Sequence, residues 1–185
     1  MRIIAGKYRG KRLFSPDGNK TRPTADKIKE SVFNILASAG ELQGSVLDLF
    51  AGTGALGIEA LSRGVDSAVF VDKSPEAAAI VKKNLALVGA AARVYNTDWK
   101  VAVRKLAGQK FDLIFLDPPY ALGFETELLA EITQKQLLAR AGVIVVEHAS
   151  DNNFEFDGKI FTADRRDYSI ASVTFLRFGG AENEE

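Results

Sequence analysis

The chain has 185 residues, 46% hydrophobic and 26% charged, a length and balance that fit one compact soluble domain with a small appendage. It contains no cysteine and a single histidine, His148, which excludes disulfides, thiolate metal sites and histidine-rich metal sites and disfavours a histidine-based triad. No apolar run reaches the length of a membrane span, and the opening Met1-Arg2-Ile3-Ile4-Ala5-Gly6-Lys7 lacks the apolar core of a signal peptide. A cytoplasmic protein with no membrane contact and no metal is therefore expected.

The formal net charge is zero but unevenly spread. Residues 1–30 hold nine basic and three acidic side chains, an excess of six, and the remainder carries the balancing negative charge. A basic arm on an acidic body points to a polyanionic partner, because clustered Lys and Arg neutralise phosphates. The plainer reading is a solvated surface segment.

The first twenty residues, with turn signals at Gly6, Gly10 and Ser15-Pro16-Asp17-Gly18, predict a short β-hairpin or arm. Thr24 is expected to cap a helix, with Asp26 in its first turn and Ile28, Val32, Ile35, Leu36 and Ala39 at helical spacing up to Gly40. From residue 45, buried strands alternate with helices. Strand 45–50 leads through a glycine-rich turn into a helix ending near Arg63-Gly64. Strand 68–72 precedes a helix opened by Ser74-Pro75-Glu76, with Ser as N-cap and Pro as first helical residue, running to Val88-Gly89. Strand 93–97 precedes a short helix through Leu106. The continuous apolar run 111–116 predicts a central parallel strand covered on both faces. A helix over about 125–138 and a strand over 143–147 follow. Two strands, 159–163 and 170–178, are expected to form an antiparallel hairpin. Residues 179–185 look like a frayed acidic tail. The repeated βα units argue for a doubly wound α/β sheet.

Gly52, Gly54 and Gly57 match G-x-G-x-x-G between a strand and a helix. Alone this is weak, since any tight βα turn favours glycine. Asp48, at the end of the preceding buried strand, adds information. Next to a pyrophosphate its charge would repel, whereas a cationic sulfonium and ammonium would be favoured, so a methyl donor ranks above a nicotinamide cofactor. Asp72 ends the next strand, where an acidic residue can accept from both ribose hydroxyls. Asp98 is placed to accept from an adenine amino group or to cap the helix beginning at Trp99. Trp99 would flank the adenine or fill the core. The candidate donor-binding residues are Asp48, Phe50, Gly52, Gly54, Asp72, Lys73, Asp98 and Trp99, with S-adenosylmethionine as the cofactor.

Asp117-Pro118-Pro119-Tyr120 follows the central strand. A rigid loop of no catalytic purpose is the plainer reading, but the aromatic fourth residue and the Asp48 loop upstream weigh against it. An aromatic amine is a poor nucleophile because its lone pair is delocalised into the ring. Acceptors at its two N–H bonds, the Asp117 carboxylate and the Pro118 carbonyl, would hold the nitrogen nearer a tetrahedral geometry. The prolines would preorganise these acceptors, and Tyr120 would offer a face for the base. Asp117, Pro118, Pro119 and Tyr120 are the candidate catalytic residues.

Asp48 to Gly64, Asp117 to Tyr120, Thr21-Arg22-Pro23-Thr24-Ala25-Asp26 and the opening Met1 to Gly10 together resemble the RsmD-type bacterial 16S ribosomal RNA guanine-N2 methyltransferases over nearly the whole chain. The resemblance implies a Rossmann-like class I S-adenosylmethionine methyltransferase fold, a seven-stranded and mostly parallel sheet with the last strand antiparallel. It implies methylation of guanine N2, at guanine 966, in 16S rRNA or an assembling small ribosomal subunit. Arg9, Lys11, Arg12, Arg22 and Thr24 are the candidate RNA-binding residues. The expected organisation is a basic hairpin and helix over 1–40, a catalytic domain over 41–179 and an acidic tail over 180–185, in a monomer. An adenine-N6 DNA methyltransferase and a non-catalytic RNA-binding or assembly protein on the same fold remain alternatives. For His148 a structural role is preferred to a catalytic one.

Overall fold

Alternation along the central strand divides the molecule into two cores. In the computed structural model, which describes residues 1–16, 23–118, 124–169 and 171–179, the elements are α1 (Pro23–Ser38), β1 (Ser45–Asp48), α2 (Ala55–Ser62), β2 (Ser67–Asp72), α3 (Pro75–Val88), β3 (Arg93–Asn96), α4 (Trp99–Lys105), β4 (Phe111–Leu116), α5 (Glu125–Gln134), β5 (Leu138–His148), β6 (Phe161–Asp167) and β7 (Ser172–Phe178). Leu113 and Phe115 of β4 face one side with Val46, Phe70, Val143 and Val145, covered by Ile28, Val32, Phe33 and Leu36 of α1 and by α2 and α3. Ile114 and Leu116 face the other side with Leu47, Val69, Ile144 and Val146, covered by α4 and α5. Strands buried on both faces are apolar throughout because neither side meets water.

One seven-stranded sheet results, in the order β3-β2-β1-β4-β5-β7-β6. The β1–β2, β1–β4, β2–β3 and β4–β5 pairs are parallel, and β7 runs antiparallel to both β5 and β6. This is the expected Rossmann-like sheet with its last strand antiparallel. The chain reverses its direction of winding between β1 and β4, so a crevice opens there at the carboxyl ends of the strands, where ligands bind in sheets of this kind.

Local signals are met closely. Ser74 caps α3, its hydroxyl accepting from the Ala77 amide at 3.3 Å, with Pro75 as the first helical residue and Gly89 closing the helix. The expectation for Thr24 is corrected: α1 already begins at Pro23, so Thr24 lies inside the first turn rather than at the cap. Proline suits that first position, having no N–H to leave unpaired. Several ends also shift. β1 stops at Asp48, β3 at Asn96 and α5 at Gln134, while β5 starts as early as Leu138 because its first residue pairs with Phe111 across an irregular register. The closing strands run over Phe161–Asp167 and Ser172–Phe178, each displaced from its expected start.

The N-terminal arm is hairpin-like without forming a regular ladder. Arg2 and Arg12 make a single antiparallel bridge, supported by Ile3 N–H to Lys11 carbonyl at 3.0 Å and Leu13 N–H to Met1 carbonyl at 3.0 Å. Arg9, Gly10 and Lys11 donate within the arm, to the carbonyls of Gly6, Ile3 and Tyr8, and four other amides go elsewhere. Ile4 and Ala5 donate to the Glu59 carboxylate at 2.8 and 3.0 Å, Lys7 to the Ser62 carbonyl at 2.8 Å and Tyr8 to the Ser62 hydroxyl at 3.0 Å. Ile3 and Leu13 are buried in the same core as α1. The arm is thus docked on α2, the helix that follows the glycine turn.

Candidate active site

The glycine turn is built by backbone necessity. Gly54 caps α2 in the left-handed region at φ 77°, where a side chain would be strained. Gly57 is helical, and a Cβ there would lie 2.3 Å from the Phe70 ring, so glycine permits the close approach of α2 to β2. Asn84 of α3 ties this turn to the arm. Its amide donates to the Thr53 carbonyl at 2.8 Å and to the Phe14 carbonyl at 3.0 Å, and its oxygen accepts the Phe14 N–H at 2.7 Å.

Asp48 is 2% exposed and accepts the Gly57 N–H at 3.2 Å. Burial pushes its carboxyl up to about 7, the nearby Asp72 charge adding to the rise and the Gly57 and Phe50 amides opposing it. Asp72 accepts from Gly52 N–H and from Ser74 N–H, each at 2.8 Å, and so ties together the two βα turns. Asp98 caps α4, accepting Lys100 N–H at 2.8 Å, which fulfils the capping role considered from sequence. Trp99 is buried among the α4–α5 core residues, its ring 6.0 Å from that of Phe124.

These residues surround two adjoining cavities. The first, about 210 Å³, is lined by Asp48, Phe50, Gly52, Thr53 and Asp117, by Glu147 at the end of β5, and by Met1 and the α1 residues Ala25, Ile28, Lys29 and Val32. The second, about 190 Å³, is lined by Phe50, Asp72, Lys73, Thr97, Asp98, Trp99, Asp117 and Phe124. Phe50 and Asp117 border both, so Asp117, the first of the candidate catalytic residues, stands where the cavities meet. Of the candidate donor-binding residues, Gly54 shapes the turn without lining either cavity, and the other seven line one or both.

Asp117 follows β4 directly, and Pro118 is buried. Burial first, then the charges of Glu147 and Asp48, hold the Asp117 carboxyl well above the usual carboxylate range. Pro119, Tyr120 and Arg22 lie outside the described residues, as does the side chain of Thr24. Arg9, Lys11 and Arg12 are exposed on the arm, and Lys11 donates to the Leu87 carbonyl at 3.1 Å.

Sequence reading missed five contributors to this region. Lys29, 5% exposed, lines the first cavity while pairing with Glu59 at 3.3 Å and donating to the Arg2 carbonyl at 2.7 Å; burial is the main cause that lowers its pKa. Glu59 and Asn84 hold the arm across more than fifty residues of sequence, a separation that leaves no local signal. Phe124 precedes α5 as an ordinary apolar residue. Glu147 was visible at the end of β5, and its alternation with Val145 was the signal that it shares a face with Asp117.

His148 has the structural surroundings expected of it. It is 1% exposed, with Nε2 2.9 Å from the Thr174 hydroxyl and Nδ1 3.0 Å from the Ala149 carbonyl. A carbonyl only accepts, so Nδ1 carries the proton and Nε2 accepts from Thr174. Burial lowers its pKa and favours this neutral form.

A family model described as "Conserved hypothetical protein 95" matches residues 1–177. The chain is similar to YlbH of Bacillus subtilis (strain 168), 39% identical over 185 residues that span 97% of this chain and 100% of YlbH. It is similar to ribosomal RNA small subunit methyltransferase D of Escherichia coli (strain K12), 37% identical over 155 residues, 82% of this chain and 76% of that protein. The solved structure of yhhF from Escherichia coli superposes with a TM-score of 0.85 at 31% identity, covering 96% of this chain and 97% of the other. These matches agree with the resemblance drawn from the motifs.

Proposed function

The chain belongs to the conserved hypothetical protein 95 family, alongside small-subunit rRNA methyltransferase D of Escherichia coli, and from that premise we propose that it methylates the exocyclic N2 of a guanine in 16S ribosomal RNA, at guanine 966, with S-adenosylmethionine as donor. The observation that carries this reading is the position of Asp117, at the meeting point of the two cavities and at the switch point of the sheet.

The donor set fits S-adenosylmethionine. A buried carboxylate with a pKa near neutrality gains from a cation and opposes a pyrophosphate, which favours the methionine end of this donor beside Asp48. Asp72 and Asp98, with Trp99 between polar groups and core, provide acceptors and an apolar wall for the adenosine end. When bound, the donor supplies a methyl carbon activated by its positively charged sulfur.

The remaining work belongs to the protein. The Asp117 carboxylate and the Pro118 carbonyl accept the two N–H bonds of the guanine amine and turn its lone pair toward the methyl carbon. The nitrogen gains the methyl as the carbon–sulfur bond breaks, then sheds one proton to Asp117 or to water. The raised pKa of Asp117 suits it to take that proton. Lys29, Val32 and Ala25 of α1 form one wall of the first cavity beside the reacting groups. The exposed arm residues Arg9, Lys11 and Arg12, together with Arg22 and Thr24, contact the RNA.

Incubating the protein and S-adenosylmethionine with small subunits from cells lacking the gene, then locating the methyl group by mass spectrometry, tests the proposal. The expected product is one N2-methylguanine at position 966. A methyl group on adenine, or none in either naked RNA or assembled subunits, would overturn it.

A further inference from the structure

The end of β5 places a second carboxylate beside the acceptor motif. β4 and β5 are parallel, and their register pairs Phe115 with Val145 and Leu116 with Val146. The next positions are Asp117 and Glu147. Phe115 and Val145 face the same core, and alternation returns Asp117 and Glu147 to that face. Both line the first cavity, one position beyond the last paired residues of two strands that run about 5 Å apart. They are close enough that the Glu147 charge is the second cause, after burial, of the raised Asp117 pKa.

We propose that Glu147 selects guanine, its carboxylate accepting the guanine N1–H while Asp117 and the Pro118 carbonyl hold the N2 amine. This rests on the guanine-N2 reading above and names the group that gives it specificity. The chemistry is that of the base edge. In guanine the ring nitrogen next to the exocyclic amine is a donor. In adenine and cytosine the corresponding ring nitrogen is an acceptor. Two adjacent acceptors on the protein therefore match the two adjacent donors of guanine. Presented with adenine or cytosine, Glu147 would set a lone pair against a lone pair and leave two polar groups unsatisfied away from water. A site built around a substrate N–H rejects analogues that lack it far more strongly than an apolar pocket rejects a change of size. The donated N1–H also places positive hydrogen between two carboxylates that otherwise repel each other.

The test uses full-length protein and small subunits reconstituted on RNA that carries either guanine or 2-aminopurine at the target. The analogue keeps the N2 amine but presents N1 as an acceptor. Wild-type protein is expected to favour guanine in kcat/KM by about 10- to 100-fold. Glu147→Gln can turn an amide N–H toward N1, so its preference is expected to collapse or invert. Glu147→Asp, which keeps a carboxylate, is expected to restore part of the preference. Calorimetry is expected to give all three proteins the same affinity for S-adenosylmethionine, which also establishes that each is folded. A Glu147→Gln protein that retains the wild-type preference would overturn the inference. So would a loss of donor affinity that matches its loss of activity, because Glu147 would then serve the donor. Failure of the underlying reading looks different: wild-type protein would place no methyl on guanine N2 even in guanine-bearing subunits, and the inference would fall with it.

Discussion

The Glu59 carboxylate of α2 accepts the main-chain N–H of Ile4 at 2.8 Å, so the helix that begins at the glycine turn also holds the N-terminal arm. The same carboxylate accepts the Ala5 N–H, pairs with Arg63 at 2.9 Å and lies 3.3 Å from the Lys29 ammonium. Glu59 is fully buried. One side chain thus joins the arm, α1 and α2 around the first cavity.

Removing it leaves two cations and two amides without their partner. Glu59→Ala is expected to lower the unfolding free energy by about 3–5 kcal/mol, measured by urea denaturation. Hydrogen exchange at Ile4 and Ala5 should accelerate in the same variant. A loss below about 1 kcal/mol, the range of an exposed ion pair, would contradict the role assigned to it.

With Asp48 beside the donor, binding is expected to depend on pH. A cationic donor prefers the ionised carboxylate, whose pKa without donor is about 7. Affinity measured by calorimetry is therefore expected to be level above about pH 8 and to fall as the pH drops below 7, approaching about tenfold per pH unit. Asp48→Asn should weaken binding and flatten this profile. The stability effect has the opposite sense. The folded pKa lies above the ordinary 3.8, so the stabilisation due to the bound proton is present below about pH 4 and is lost as the pH rises through 7. Without donor, Asp48→Asn is expected to exceed the wild type in stability at pH 8 by up to about 4 kcal/mol. A donor affinity independent of pH from 6 to 8 would contradict the assignment.

The exposed arm residues should contribute charge rather than base recognition. Replacing Arg9, Lys11 and Arg12 together with alanine is expected to weaken RNA binding across sequences. The slope of log affinity against log salt should fall by about 2. Donor affinity should be unchanged. An identical salt series for variant and wild type would count against an RNA-binding arm.

The legible parts of the fold were those encoded locally. Ser74-Pro75 announced the start of α3, Asp98 its capping role before Trp99, and the apolar run 111–116 the central strand. The βα alternation gave the order of elements, and the paired closing strands gave the antiparallel end. Element ends were less legible because tertiary pairing sets them: Leu138 joins β5 only through its contact with Phe111. The hairpin expectation for the arm was partly met, since the amides of Ile4, Ala5, Lys7 and Tyr8 bond to α2, more than fifty residues away, rather than across the arm. The candidate donor-site residues were legible as two strand-ending acids, Asp48 and Asp72, a glycine turn, and Asp98 just beyond β3. Lys29, Glu59 and Asn84 were not, because an isolated charged or amide residue on a helix looks like a solvated face until its partner is brought to it.

The most direct test of the central claim is methyl transfer by Asp117→Ala to small subunits, measured beside its affinity for S-adenosylmethionine. Loss of the acceptor carboxylate is expected to reduce transfer by at least about 100-fold, the scale of removing one preorganised transition-state partner, while donor affinity stays within a few-fold of wild type. Undiminished transfer with intact donor binding would contradict the assignment of Asp117 as the acceptor-site carboxylate.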